Sequence, residues 1–298
     1  MLIRLLLLVL ALAAPDARAA LNVLACEPEW AALVEELAGD RARVSSATTA
    51  RQDPHHIEAR PSLVARARNA DLLVCTGADL EAGWLPLLQR ESGNPRIQPG
   101  QAGYFEAASQ VTLLEKPARV DRGEGDVHAA GNPHIHTDPR NVLKAAEALA
   151  RRLARLDPGE AAFYAARQRD FQARMTAAIA AWERAAAGLR GMPVVVHHKN
   201  WSYLADWLGL KIVADLEPKP GIDPSAAYLA QLLDRLKTQP ARAILRTAYH
   251  SDRPGDWLAQ RTGLPVLELP YTVGGNAAAK DLFSLFETTV EQLKAGLR

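Results

Sequence analysis

From Leu21 onward the chain alternates short apolar runs with helical stretches, and it does so in two separate series. The first runs Leu21 to Ala25, a helix from Pro28 to Ala38, Ala42 to Ala47, a helix from Pro61 to Asn69, then Leu72 to Thr76. The second runs Val194 to Val196, a helix near Trp201 to Leu208, Lys211 to Ala214, a helix from Ser225 to Leu236, Ala243 to Leu245, a helix from Pro254 to Thr262, and Val266 to Leu269. A last helix is expected from about Asp281 to Leu297. Runs this short and separated by helices argue for parallel βαβ units. The expected fold class is therefore α/β: two lobes, each with a mainly parallel sheet flanked by helices.

Between the two series, Asp157-Pro158 supplies a helix cap followed by proline at the first helical position, and after Gly159 no breaker appears until Gly188. Phe163, Phe171, Met175, Ile179, Trp182, Ala186 and Leu189 recur mostly three and four apart and mark one apolar face. At 1.5 Å per residue such a helix reaches ~45 Å, enough to lie along both lobes as a stiff connector and restrict hinge motion. The expected division is a leader over 1–20, a first lobe over 21–156, a connecting helix over 157–190 and a second lobe over 191–298.

The leader reads Met1-Leu2-Ile3-Arg4, an apolar run from Leu5 to Ala14, then Ala17-Arg18-Ala19-Ala20, the three regions of a secretory signal. Export to the periplasm is expected. A rival reading makes Val23-Leu24-Ala25-Cys26 a lipoprotein box, but Asp16 and Arg18 separate that cysteine from the apolar run. The chain holds two cysteines, Cys26 and Cys75, each following a short apolar run. In an oxidising compartment such a pair forms either a disulfide between neighbouring strand ends or two buried thiols. A formal net charge of +1 leaves no nucleic-acid footprint.

Seven of the eight histidines fall in three clusters: His55-His56, then His128, His134 and His136, then His197-His198. Imidazoles gathered at three separated points beside turns or strand ends suggest loops converging on one metal ion. Pro54 stiffens the turn before His55, and Pro133 does the same before His134, which makes His134 rather than His136 the expected ligand. His136 is then a supporting or surface residue. Val194-Val195-Val196 reads as a buried strand whose carboxyl end carries His197 and His198; periodicity does not say which of the two faces the cleft.

Asp53-Pro54-His55 before a Pro-Ser helix start, Ala70-Asp71-Leu72 leading into Thr76-Gly77, Asn132-Pro133-His134 before Asp138-Pro139-Arg140-Asn141, and His198 followed by Trp201 and Tyr203 resemble the zinc and manganese solute-binding proteins of ABC importers. The resemblance covers essentially the whole chain after the leader. It implies a metal held between two lobes by His55, His134 and His198, and delivery to an ABC permease in the inner membrane. Manganese-type members carry glutamate at the third position, so histidine there favours Zn2+ over Mn2+. The family's fourth ligand, an aspartate, would fall near Pro270, where no carboxylate stands; water, Glu268 or Asp281 are the alternatives.

A second departure is the His-rich loop of many zinc-type members, here reduced to the segment around His128, for which a plain surface role is expected. His250 is expected to be a polar turn residue. No enzymatic activity is expected, and the chain is expected to act as a monomer. The contrasting reading is a secreted zinc hydrolase, which also uses three ligands and leaves the fourth place to water, but no H-E-x-x-H helix or G-x-S-x-G elbow is present. A surface adhesin would want a lipid anchor.

Overall fold

Short, apolar strands need both faces covered, and the chain meets that need twice with the same wiring. The computed structural model describes residues 20–117, 125–126 and 128–297; the expected leader through residue 19 and residues 118–124, 127 and 298 lie outside the described residues. The first lobe comprises β1 (Leu21–Ala25), α1 (Pro28–Ala38), β2 (Ala42–Ser46), α2 (Pro61–Asn69), β3 (Leu72–Cys75), α3 (Leu85–Ser92), β4 (Tyr104–Glu106) and α4 (Pro139–Leu156). After α5 (Ala161–Ala185), the second comprises β5 (Pro193–Val196), α6 (Ser202–Leu208), β6 (Lys211–Asp215), α7 (Ala226–Thr238), β7 (Ala243–Arg246), α8 (Arg253–Thr262), β8 (Val266–Glu268) and α9 (Leu282–Gly296).

Among the described residues the sheets run β2-β1-β3-β4 and β6-β5-β7-β8, with every pairing parallel. In each, the chain reverses its direction of travel at the central pair, β1 with β3 and β5 with β7. The carboxyl ends of such a pair flank a crevice, the usual ligand position in open α/β sheets. In the first sheet a disulfide lies there. Cys26 follows β1 and Cys75 ends β3, and they are bonded with Cα atoms 4.8 Å apart. A half-cystine has no free thiol to carry a lipid, so this pairing speaks against the lipoprotein reading of Cys26.

The connector differs from expectation at its start. Pro158-Gly159-Glu160 forms a 3-10 turn and the α-helix begins at Ala161, a common tightening at helix ends. Tyr164, fully buried, takes the inward position expected of Phe163, which is covered by the Arg41 guanidinium 5.0 Å from its ring. Helix α5 packs along α4 and against α1 and α9. One continuous apolar core therefore joins Leu72 and Val74 of the first sheet, through Phe171, Met175 and Trp182, to Val194 and Leu245 of the second. Outer cores lie under α2 and α3, and under α7 and α8. Among the described residues no helix is long and apolar enough to cross a membrane.

Candidate metal centre

Asp53-Pro54-His55 and Asn132-Pro133-His134 fold as the same device. In the first, Asp53 Oδ1 accepts the backbone N–H of His55 at 3.0 Å and lies 2.7 Å from its Nδ1. In the second, Asn132 Oδ1 accepts the backbone N–H of His134 at 2.9 Å and lies 2.8 Å from its Nδ1. Proline fixes the backbone between the oxygen and the ring. Each oxygen takes an Nδ1 proton, so each ring turns an Nε2 lone pair outward, the tautomer a metal requires. His198, just beyond β5, obtains the same arrangement from afar: Glu217 Oε2 lies 2.6 Å from its Nδ1 and is steadied by the N–H of Gly221 at 2.8 Å.

The structure brings these rings together at the junction of the lobes. Ring centroids are 5.4 Å apart for His55 and His134, 5.7 Å for His55 and His198, and 5.2 Å for His134 and His198, and one nitrogen from each lies within 4.8 Å of the others. All three are buried. His134 Nε2 has no hydrogen-bond partner, an omission that costs about 1–3 kcal/mol in a buried group unless something else binds it. The residues therefore fit a cation.

His128 is not a plain surface residue. Its Nε2 stands 3.3 Å from His55 Nε2, and 3.3 Å is about the edge of a tetrahedron with zinc–nitrogen bonds of ~2.0–2.1 Å. Its ring is 5.3 Å from that of His55 and 6.3 Å from that of His134. The other suggested fourth ligands are engaged elsewhere: Glu268 pairs with Arg246 at 2.8 Å, and Asp281 caps α9 by accepting the N–H of Ser284 at 2.7 Å. Cys26, Cys75 and Glu81 also cluster, but the disulfide leaves no thiolate to bind.

Close packing holds the loops in place. Trp84 Nε1 donates to Pro54 O at 2.8 Å, and a Cβ at Gly83 would meet His55 O at 2.9 Å, so this approach requires glycine. Asn132 Nδ2 donates to Lys199 O at 2.8 Å, and Tyr203 Oη donates to Asn132 O at 2.7 Å, tying the His134 and His198 loops together across the lobes. His136 points away from the cluster and is buried. Its Nδ1 is 3.2 Å from Glu29 Oε1, off the line of a hydrogen bond, and its Nε2 is 3.1 Å from Tyr271 O. Glu29 in turn accepts from Thr272. The loop where the family's aspartate was sought is thus clamped onto the first lobe.

Burial first, and then the neighbouring imidazoles, hold His134 well below the usual histidine value and His128 at about 3. Burial alone would raise the Asp53 carboxyl, but the hydrogen bond and charge of His55 hold it below the usual carboxylate range. Neutral rings backed by an ionised acceptor are the state that binds metal. A cavity of about 350 Å³ opens beside the cluster, lined by Glu115, Asp126, Asp215 and Glu217 against Lys199 and Lys219.

Two parallel-sheet lobes with an imidazole cluster at their junction define a bilobal α/β protein with a metal-binding cleft as its candidate site. The chain belongs to the family described as zinc-uptake complex component A, periplasmic, which it matches over residues 23–296. It is 24% identical over 268 residues to the zinc-binding lipoprotein AdcA of Streptococcus pneumoniae, covering 87% of this chain and 52% of that one. It therefore spans about half the length of that relative. The manganese transporter substrate-binding lipoprotein PsaA of Streptococcus anginosus is 22% identical, with 93% and 89% covered. A crystal structure of ZnuA superposes with a TM-score of 0.78 at 24% identity, covering 94% of this chain and all of that one.

Sequence reasoning located the loops but missed the orienting oxygens of Asp53, Asn132 and Glu217, and it dismissed His128. The residue before each proline was the available signal: Asp and Asn side chains commonly bond a backbone N–H two residues on.

Proposed function

We propose that this chain is the solute-binding component of an ABC importer, capturing a zinc ion between its lobes and delivering it to an inner-membrane permease from the periplasm. The carrying observation is the convergence of His55, His134 and His198 from both lobes, each with Nδ1 held by a side-chain oxygen, with His128 Nε2 beside His55 Nε2 at 3.3 Å as the candidate fourth ligand. In this reading residues 21–156 and 191–298 are the lobes, 157–190 join them, and a single chain suffices. With His128 as fourth ligand, no place is left for the water a zinc hydrolase would hold, so the reading calls for capture and release without catalysis. An all-imidazole set suits zinc, a borderline ion, better than manganese, which favours carboxylate and water oxygen.

The test is competition of Zn2+ and Mn2+ for the metal-stripped chain against a chelator of known affinity, at pH 7.5 and pH 5.0. Zinc is expected to bind one tight site, at least a hundredfold tighter than manganese. Protons compete for the same lone pairs, so affinity falls as pH drops below ~6.5; His134 and His128, held low, delay that loss. A weakening of at least tenfold is expected by pH 5.0. Preference for manganese, or an affinity indifferent to pH, contradicts the reading.

A further inference from the structure

The crevice at the carboxyl ends of β5 and β7 holds a second group of ligand-type side chains, all from the second lobe. His197 precedes His198, so its ring faces the other way, and it stacks on His250 with centroids 4.3 Å apart and planes 3° from parallel. His250 sits in the turn after β7, its Nδ1 2.7 Å from Thr247 Oγ1. Glu217, beyond β6, reaches both sets: Oε2 holds His198, while Oε1 lies 3.9 Å from His197 Nε2. One ligand atom each from His197, Glu217 and His250 lie within 4.8 Å of one another.

Packing alone does not account for this arrangement. His197 is 1% exposed, and its Nδ1 is buried without a hydrogen-bond partner. That nitrogen is unmet whether it carries a proton or a lone pair, at a cost of about 1–3 kcal/mol. Two imidazoles and one carboxylate are also a familiar donor set for zinc with a water in the fourth place.

We propose that His197, Glu217 and His250 form a second divalent-cation site for a zinc-like ion, held by the second lobe alone. It is weaker than the junction site for two reasons. It offers three protein ligands rather than four, and its two rings are stacked with planes 3° from parallel, so one ring must tilt before both reach one ion. Glu217 is shared between the sites, which places the second ion beside the first, on the lobe that retains only His198 if the lobes part.

The experiment is zinc stoichiometry and stepwise affinity of the full metal-stripped chain, its His250→Phe variant, which keeps a ring stacked on His197 while removing the nitrogens, and its His55→Ala variant. The parent chain is expected to bind two ions, the second at least a hundredfold weaker. His250→Phe is expected to keep the tight ion, which also reports that it folds, and to lose the weak one. His55→Ala is expected to weaken the tight ion and keep the weak one. A parent chain that binds one ion, or a weak ion that survives in His250→Phe, overturns the proposal. Absence of the tight ion in the parent speaks instead against the junction site.

Discussion

Replacing His134 by alanine is expected to weaken zinc binding by roughly a hundredfold to a thousandfold. Structural zinc sites bind with ~10–16 kcal/mol, so an equal share among four ligands is about 3 kcal/mol, and each ~1.4 kcal/mol is a factor of ten. His134 has no substitute nearby. Its Nε2 is buried and unpartnered, and His136, two residues on, is turned away, with its Nε2 against the Tyr271 carbonyl. Competitive titration of His134→Ala beside the parent measures the loss, with circular dichroism confirming the fold. An affinity within threefold of the parent would remove His134 from the site.

Glu217→Gln is the second large effect. The side chain keeps its size but loses the charge that accepts from His198 Nδ1 at 2.6 Å and from the N–H of Gly221. Partners of this kind fix the tautomer and raise the basicity of the ligating nitrogen, and their loss typically costs 10- to 100-fold in metal affinity. A loss in that range is expected for the tight ion, with a thermal midpoint close to the parent's, since Glu217 lies at the cavity edge rather than in the core. An unchanged zinc affinity would mean that His198 is oriented by packing alone.

Much of this architecture was legible because parallel strands buried on both faces appear in sequence as continuous apolar runs. Seven strands fell within a residue or so of their expected bounds. Strand β4 escaped because Tyr104-Phe105-Glu106 sets one deeply buried residue, Phe105, between two half-buried polar ones and offers no apolar run. Helix α3 went unassigned because only two of its four buried residues, Leu85 and Leu88, are apolar, too few to mark a face. The site was legible in part for a different reason. Proline beside histidine marks a stiffened loop, so His55 and His134 stood out, whereas His197 and His198 occupy successive positions whose facing depends on where β5 ends.

A candidate fourth ligand could not be read because its position depends on tertiary placement. Glu268 and Asp281 were near the family's aspartate in sequence, yet one pairs with Arg246 and the other caps α9. His128 lies 73 residues from His55, in a polar stretch without a period, and only the folded chain brings their nitrogens to 3.3 Å.

The most direct measurement is X-ray absorption at the zinc edge on the full chain loaded with one equivalent of zinc, for the parent and for His128→Ala. The account predicts four nitrogen neighbours at ~2.0–2.1 Å with the outer-shell scattering of four imidazole rings, falling to three rings in His128→Ala. A first shell dominated by oxygen, with two imidazoles or fewer, would contradict capture of the ion by His55, His134, His198 and His128.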